Sequence, residues 1–417
     1  MPVSDVPDLP GSPVHPEKAT QLKALVAQIC GLAHHRFVGS QPVSFARSDL
    51  DKLEQKDYWV CEKSDGIRVL VFVVGFPSGD QEVYLIDRKN SYRQVEGVFF
   101  PHHENPRRPM GHSLLDGELV TDVDPHTGRE TPRLLLFDCI VVDNQNLTLK
   151  PLTSRYGKLQ MWVWKPYERM VKEFPDMAIR RPFDIQVKAM ERAYAVKKVL
   201  REDLPRLHHS NDGLIYTCAE SGYVAGTDEQ LLKWKPPSQN SIDFKLELRF
   251  PPSREHPEVP DLYAKPMFLL FVWQGGSSGN KEAEYKYFDY MHVRDAEWER
   301  MKESGEQYDD RIIEAVWDTN SQNWRFLRFR DKEKEHGNHA SVVEKIIQSI
   351  QDGVEEDALI SRSASVREAW KARESCRAVR DRPQHALPPT HHPIFKPQLG
   401  PLLSKVSGPT AINGINR

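Results

Sequence analysis

The sequence predicts an α+β domain built on antiparallel sheets, followed by a small β-barrel. Between about residues 45 and 236, short runs of β-branched and aromatic residues alternate with turns and a few helical stretches. Residues 236–240 (PPSQN) indicate a hinge, because proline and small polar residues interrupt regular structure. About five short strands follow within roughly ninety residues, which is typical of a small barrel.

The elements follow in order along the chain. Leu22, Leu25, Val26 and Ile29 recur at helical spacing and predict one amphipathic helix before the first strands. Residues 186–200 are also predicted to be helical. The five strands after the hinge are expected at 242–249, 267–273, 283–290, 312–317 and 324–330.

Two helices are predicted after the barrel, and we expect them to brace the two domains. Ser341 is the expected cap of the first helix, and the second covers about 364–379. The apolar face of the first helix consists of Val342, Val343, Ile346, Ile347 and Ile350. The predicted division is 1–40 (N-terminal segment and helix), 41–236 (first domain), 237–335 (barrel), 336–380 (helices) and 381–417 (disordered tail).

Composition narrows the class of protein. The 417 residues carry a net charge of −3, so no overall basic excess indicates a nucleic-acid or membrane binder. The five cysteines are odd in number and widely spaced, which argues against a disulfide framework or a zinc site and favours a reducing compartment. No apolar stretch approaches the ~20 residues that span a bilayer, so we expect a soluble protein.

Lys63 is the first candidate for chemistry. It ends a predicted strand just before the turn residues Asp65 and Gly66, where a rigid scaffold presents its amine to a cleft. A lysine amine attacks only in its uncharged form, which desolvation or neighbouring cations such as Arg68 favour. Taken alone, this segment also fits an ordinary exposed hairpin turn.

A series of short motifs follows Lys63 in the chain. The motifs are Ile86-Asp87-Arg88, Leu115-Asp116-Gly117-Glu118-Leu119-Val120, Leu136-Phe137-Asp138, Asp212-Gly213-Leu214-Ile215-Tyr216, Leu231-Leu232-Lys233-Trp234-Lys235-Pro236 and Trp324-Arg325-Phe326-Leu327-Arg328-Phe329-Arg330. Lys233 and Lys235 lie two apart on a strand and so point to the same face, as phosphate binding requires. In isolation that pair also fits a solvated strand face.

This ordered series resembles the covalent nucleotidyltransferase superfamily of nucleic-acid ligases and mRNA capping enzymes, and most closely the fungal mRNA guanylyltransferases. The resemblance covers roughly residues 40–365. It implies a nucleotidyltransferase domain with ATP-grasp-like antiparallel sheets and a C-terminal OB-fold barrel. It also implies that Lys63 attacks GTP to form a lysyl-GMP intermediate, and that the GMP then passes to the diphosphate 5′ end of nascent mRNA.

The resemblance also assigns residues of the nucleotide site. Arg68 and Glu118 would contact the ribose hydroxyls and Arg88 the sugar-phosphate region. Phe137 and Ile215 would sandwich guanine, and Lys188 would read its O6 atom. Glu118 and Asp212 would be the ligands of Mg²⁺ or Mn²⁺. The residues assigned to the α-phosphate are Lys233 and Lys235, and those assigned to the triphosphate end are Asp243 and Arg330.

The last motif departs from the family pattern, because a residue is inserted or shifted in Arg328-Phe329-Arg330-Asp331-Lys332-Glu333-Lys334. Either Lys332 or Lys334 could therefore fill the final basic position. For the aromatic and basic segment 150–165, which includes Arg155 and Trp162, there are two interpretations. It is either a surface for the phosphorylated RNA polymerase II tail or a helix packed through its aromatic side chains.

The expected partners follow from the implied task. We expect no phosphatase domain before the transferase, and hence a heteromer with a separate RNA 5′-triphosphatase subunit. The other expected partners are the polymerase tail and the nascent mRNA, in the nucleus and without a membrane. Two alternatives remain at this point: a nucleic-acid ligase that uses ATP, and a non-catalytic relative that binds RNA or polymerase.

Overall fold

The computed structural model describes residues 8–176, 180–237, 240–276, 284–319, 321–330 and 334–380. The tail predicted to be disordered (381–417) and the candidate Lys332 lie outside these residues. Residues up to Trp370 form one compact unit. A mixed fold of antiparallel sheets and helices followed by a closed barrel confirms the predicted fold class.

The first sheet carries most of the strands before the hinge. In spatial order it runs β1-β6-β5-β4-β7-β8-β10, with β9 paired to β8. Neighbouring strands are antiparallel except β8 and β10. Its strands are β1 (Ser12–Pro13), β4 (Ile67–Gly75), β5 (Gln81–Ile86), β6 (Tyr92–Val95), β7 (Ser113–Val123), β8 (Glu130–Val142), β9 (Gln145–Asn146) and β10 (Asp184–Val187).

The second sheet runs in the order β11-β3-β12-β13-β2, with only the β13–β2 pair parallel. Its strands are β2 (Ser40–Ser44), β3 (Tyr58–Ser64), β11 (Glu191–Arg192), β12 (Asn211–Cys218) and β13 (Gly226–Trp234). Because β4 of the first sheet follows β3 of the second after only two residues, the turn at Asp65 and Gly66 joins the two sheets. A residue at this turn is therefore near both.

Helices cover the apolar faces of both sheets. They are α1 (Pro16–Cys30), α2 (Asp49–Gln55), α3 (Leu152–Lys158), α4 (Lys165–Glu173) and α5 (Val196–Lys198), with a π-helical turn at Leu159–Trp164 between α3 and α4. The predicted amphipathic helix is α1, whose buried Leu22 and Val26 pack on one face of the first sheet. The segment from α3 to α4 packs on the other face through Leu159, Val163 and Tyr167.

The five strands after the hinge form the predicted barrel, which closes in the order β14-β15-β16-β18-β17. Its strands are β14 (Ser241–Arg249), β15 (Met267–Gly275), β16 (Glu284–Met291), β17 (Arg311–Asp318) and β18 (Asn323–Phe329). Residue 283, where the third strand was expected to begin, lies outside the described residues. Three helices accompany the barrel: α6 (Asp295–Ser304), α7 (Ala340–Asp352) and α8 (Glu356–Arg380).

The last two helices connect the barrel to the second sheet. Val343 of α7 is buried in the barrel core. Val354, Leu359 and Val366 belong instead to the core beneath the second sheet. The indole N–H of Trp234 in β13 donates a 2.8 Å hydrogen bond to the Val354 carbonyl. These helices therefore brace the two parts of the chain, as expected.

Two predicted helix features are wrong. Residues 186–200 are not one helix: β10 and β11 occupy the first half, because Ile185 pairs with Leu134 in the first sheet and Arg192 with Trp59 in the second. Helical turns begin only at Ala193. Ser341 is not the cap of α7, which begins one residue earlier. His339 is the cap, and its imidazole accepts the N–H of Ser341 at 3.3 Å.

Candidate active site

Lys63 is the last but one residue of β3, and its amine contacts Asp212. The Nζ to Oδ1 distance is 2.6 Å, and the two side chains are 23% and 22% exposed. Lys235 forms an ion pair with the other carboxylate oxygen of Asp212. Two ammonium groups thus share one carboxylate in a partly buried setting, so their charges are only half balanced by it.

Strand pairing explains why these residues meet. β12 lies between β3 and β13, and Ile215 faces Cys61 on one side and Lys233 on the other. Since side chains alternate along a strand, Lys63 and Lys235 lie on the same face as those three residues. Gly66 allows the turn, because a Cβ there would collide with the Leu119 carbonyl of the neighbouring strand.

Arg68, near the start of β4, is the first residue that the first sheet contributes to the site. It pairs across strands with Glu118, and its guanidinium makes two hydrogen bonds to Asp116, at 3.0 and 2.6 Å. It also donates to the Ser40 carbonyl. The hydroxyl of Tyr223 donates to Asp116 at 2.5 Å. The Arg68 side chain is 7% exposed and that of Asp116 0%, so this trio is a rigid wall of the pocket.

Lys188 and Phe137 form the other end. The Lys188 ammonium donates to the Ser64 hydroxyl at 2.7 Å and lies 3.5 Å from the Glu62 carboxylate. It is also 5.5 Å from the centre of the Phe137 ring. A buried cation next to a flat ring is a suitable arrangement for a planar ligand with an acceptor atom.

Most of the residues described above line one pocket. It has about 830 Å³ of empty space, open solvent at its mouth included. The predicted site residues that line it are Lys63, Arg68, Arg88, Glu118, Phe137, Lys188 and Ile215. Lys233 and Lys235 line a neighbouring pocket together with Ser241 of the barrel and Ile346 of α7. The sequence-predicted set thus converges, although Asp243 and Arg330 lie apart from it in the barrel.

The electrostatics of the pocket favour an anionic ligand. Burial lowers the pKa of Lys233, and the nearby cations Lys235, Lys63 and Arg88 lower it further. Burial alone would raise the pKa of Asp212, but its two lysine partners hold the value below its ordinary range. The cations here outnumber the nearby carboxylates and repel one another, and a bound phosphate would reduce this repulsion.

Glu118 differs from Asp212. Burial raises the pKa of its carboxyl group, and this outweighs the attraction of Lys188, Lys63 and Arg68. Because burial makes the ionised carboxylate unfavourable, a cation or a hydroxyl donor in the pocket would stabilise it strongly. Glu118 therefore fits the predicted roles of ribose contact and metal ligand.

The residues fit a divalent ion only in part. Mg²⁺ commonly binds one or two carboxylates together with substrate phosphates, which suits Glu118. Both oxygens of Asp212 already bind lysines. His102, His103 and Asp143 also lie close enough to hold an ion. However, the Nδ1 of His102 accepts backbone N–H groups, so its Nε2 carries the proton and donates to Asp143 at 3.0 Å.

The barrel residues of the last motifs form their own cluster. Asp243 in β14 forms an ion pair with Lys334, and one of its oxygens is 3.7 Å from the Arg330 guanidinium. Arg330 is also 3.5 Å from Glu314. Lys334 is thus beside Asp243, whereas Lys332 lies outside the described residues.

Other residues of the pocket were not among the predicted ones. Asp116 could have been found, since it stands two residues before Glu118 on the same strand face. Ser64 adjoins Lys63 in the chain. No local signal marks Tyr223. Arg155 was assigned to a possible basic surface in segment 150–165. It is only 1% exposed and forms a buried ion pair with Asp138 at 2.8 Å, and therefore does not belong to that surface.

Two sheets that converge on a lysine in an electropositive pocket, followed by a closed barrel, define a nucleotidyltransferase. The family profile "mRNA capping enzyme, catalytic domain" matches residues 5–237, and "mRNA capping enzyme, C-terminal domain" matches 239–360. The chain belongs to the mRNA capping enzyme family.

Fungal relatives match over most of the chain. The mRNA-capping enzyme subunit alpha of Schizosaccharomyces pombe is 40% identical over 359 residues, 85% of this chain and 86% of that protein. The subunit alpha of Neurospora crassa is 37% identical over 386 residues, 89% of this chain and 95% of that protein. A mycobacterial DNA ligase D complexed with ATP and MES covers 70% of this chain and 95% of its own, at a TM-score of 0.34 and 15% identity.

Proposed function

We propose that the chain is a GTP:mRNA guanylyltransferase in which Lys63 is the nucleophile. After its ammonium loses a proton, the amine attacks the α-phosphorus of GTP. A nitrogen–phosphorus bond forms, the α–β phosphoanhydride bond breaks, and pyrophosphate leaves with the electron pair. A diphosphate 5′ end of mRNA then takes the GMP and frees the lysine. The observation that carries this proposal is the pairing of Lys63 and Lys235 with one carboxylate, Asp212, beside the pocket.

Asp212 would hold the Lys63 amine in place rather than take its proton. A carboxylate whose pKa lies below the ordinary range is a poor base. Lys233 and Lys235 would bind the α-phosphate, where their charge stabilises the extra negative charge of the transition state. Binding of phosphate to Lys235 would also loosen its ion pair with Asp212.

The base and ribose would occupy the closed end of the pocket. Phe137 and Ile215 line it and would stack on the two faces of guanine, while Lys188 donates to the O6 atom. Arg68 and Glu118 would contact the ribose hydroxyls, and Arg88 the sugar-phosphate region. Bound Mg²⁺ or Mn²⁺, held by Glu118 with or without Asp212, would shield charge on the α-phosphate.

The barrel would complete the site from its own side. Arg330 would bind the β- and γ-phosphates when the barrel closes over the pocket, and Asp243 would lie near the triphosphate end. Lys334 would fill the last basic position, since it contacts Asp243. A division of the chain at residues 236 and 237, into a nucleotide-transferring domain and a barrel, is part of this proposal.

The proposed partners follow from the relatives. Those proteins are called subunit alpha, which supports a heteromer here, and an RNA 5′-triphosphatase is the subunit that would supply the diphosphate end. We also propose the phosphorylated RNA polymerase II tail and nascent mRNA as partners, in the nucleus. Among the described residues, no helix is both long and apolar enough to cross a membrane.

Covalent labelling tests the proposal. The purified chain is incubated with Mg²⁺ and either α-labelled GTP or ATP, and then run on a denaturing gel. We expect an acid-labile label from GTP, absent in Lys63→Ala and retained in Lys172→Ala, whose side chain is 71% exposed. Label from ATP alone would indicate a ligase, and no label a non-catalytic relative. A label that persists in Lys63→Ala would overturn the proposed nucleophile.

A further inference from the structure

A buried polar network lies behind the Lys188 ammonium. Glu62 and Ser64 stand on either side of Lys63 in β3, and the Ser64 hydroxyl donates to the Glu62 carboxylate at 3.2 Å. The same carboxylate oxygen is 3.5 Å from Lys188 and 3.7 Å from the Nε2 of His209. Three groups with protons to donate therefore converge on one oxygen of Glu62.

Three protein acceptors surround the Lys188 ammonium. An ammonium has three N–H groups. One goes to the Ser64 hydroxyl at 2.7 Å, and the other two face Glu62, whose carbonyl is at 3.4 Å and carboxylate at 3.5 Å. An acceptor in the pocket, next to Phe137, would take the N–H of one of these two long Glu62 contacts. The position of this N–H depends on how strongly Glu62 attracts the ammonium.

His209 also lies near the Glu62 carboxylate. Its side chain is 6% exposed, its Nδ1 lies 2.9 Å from Asp122, and Asp122 is also paired with Arg133 at 2.8 Å. Within the described residues, the buried Nε2 of His209 has no hydrogen-bond partner. His208 also lies near Asp122. A protonated His209 ring would share the Glu62 charge with Lys188.

The chemistry of the ring supports this sharing. Burial alone would lower the pKa of His209, but the hydrogen bond to Asp122 and the charges of Asp122 and Glu62 raise it above the ordinary value. The ring therefore keeps its proton to a higher pH than a free imidazole. As the pH rises through this pKa, His209 becomes neutral and Lys188 alone balances Glu62.

We propose that Glu62 and His209 are positioning residues that set where the Lys188 ammonium meets the base, and thereby govern the preference for a purine with an acceptor at position 6. This inference rests on the proposed function, in which Lys188 reads guanine. With protonated His209, Lys188 reaches the base. With neutral His209, Glu62 draws the ammonium back and the preference falls.

Three nucleoside triphosphates separate this role from general activity. GTP carries both O6 and the 2-amino group, ITP keeps O6 only, and the triphosphate of 2-aminopurine riboside keeps the 2-amino group only. The kcat/KM of covalent labelling is measured for each between pH 6 and 8, a range in which the purine N1–H of GTP and ITP keeps its proton. Ratios between nucleotides cancel any effect of pH on the shared transfer step, which acts equally on all three.

We expect the ratio of GTP to the 2-aminopurine nucleotide to fall with rising pH in the unmodified chain. In His209→Gln it should be about tenfold lower at low pH and independent of pH, as loss of one hydrogen bond from a charged donor implies. Glu62→Gln should keep this ratio high at every pH, because a neutral amide does not draw the ammonium back. The ratio of GTP to ITP should change less than about twofold, because both carry O6.

His208→Gln is the matched control, since this neighbouring histidine is exposed and should keep both ratios. An equal fall for all three nucleotides would show a merely structural role and overturn the inference. So would a pH-independent ratio in the unmodified chain, which decides the matter even if the variants fail to fold. If the unmodified chain takes no label from any nucleotide, the proposed function itself fails.

Discussion

Tyr223→Phe removes a single hydroxyl from the wall of the pocket and should destabilise the fold. The hydroxyl donates to Asp116 at 2.5 Å and accepts the backbone N–H of Ser40 at 3.0 Å. Burial beside Asp116 raises the pKa of Tyr223 well above its ordinary value, so the hydroxyl keeps its proton and is the donor. Phenylalanine fills the same space, and only these two hydrogen bonds are lost.

The magnitude follows from what remains behind. A hydrogen bond to a buried charge is worth about 1.5–3 kcal/mol, and a buried N–H without a partner costs about 1–3 kcal/mol. Asp116 keeps both of its bonds to Arg68, so its own loss is at the lower end. We therefore expect the free energy of unfolding to fall by about 2–4 kcal/mol.

Urea unfolding followed by tryptophan fluorescence measures this change. Tyr263→Phe is the control, because the Tyr263 side chain is 91% exposed and its loss should stay within about 0.5 kcal/mol. The two variants should share the same dependence on urea concentration. A loss below about 0.5 kcal/mol in Tyr223→Phe would refute the view that this trio is a fully satisfied buried network.

Two further predictions concern the start of β12. Because its lysine partners lower the pKa of Asp212, this carboxylate contributes stability that is present above its unfolded pKa of about 4 and is lost as the pH falls through the folded value. Asp212→Asn should thus cost about 1–2 kcal/mol of unfolding free energy at pH 7 and progressively less below pH 4. Urea titrations at each pH measure this difference. An undiminished difference at pH 3 would contradict a lowered pKa of Asp212. Gly213→Ala should lower the free energy of unfolding by at least about 3 kcal/mol and reduce GTP labelling, because φ is 142° and a Cβ would collide with the Trp234 carbonyl. Gly157→Ala is the control: this glycine lies in open space on α3, and its replacement should raise the free energy of unfolding by about 0.5–1 kcal/mol. Equal behaviour of the two glycine variants would refute this reasoning.

Much of the fold was predictable because local periodicity decides it. The helical spacing of Leu22 and Val26 placed α1, and the barrel strands lie within a residue or two of their predicted bounds where the structure describes them. The shared face of Lys233 and Lys235 was predictable for the same reason, since residues two apart on a strand lie on one face. Their approach to Lys63 depends instead on the pairing of β12 with both β3 and β13.

The failures concern contacts distant in the chain. Tyr223 and Asp116 are 107 residues apart, and nothing near either residue in the sequence indicates the other. β10 and β11 form where a helix was predicted because each pairs with a distant strand, which outweighs local preference. Arg155 was placed on a surface, but Asp138 pairs with it in the interior.

Synthesis order sets a requirement on how this chain matures. Part of the side of the second sheet opposite Lys63 is covered by Val354, Leu359 and Val366. These residues leave the ribosome long after β3, β12 and β13, so that part of the apolar side stays open to water until the last helix emerges. A fragment cut at the hinge would expose the same surface permanently, and we expect it to aggregate rather than keep the nucleophile in place.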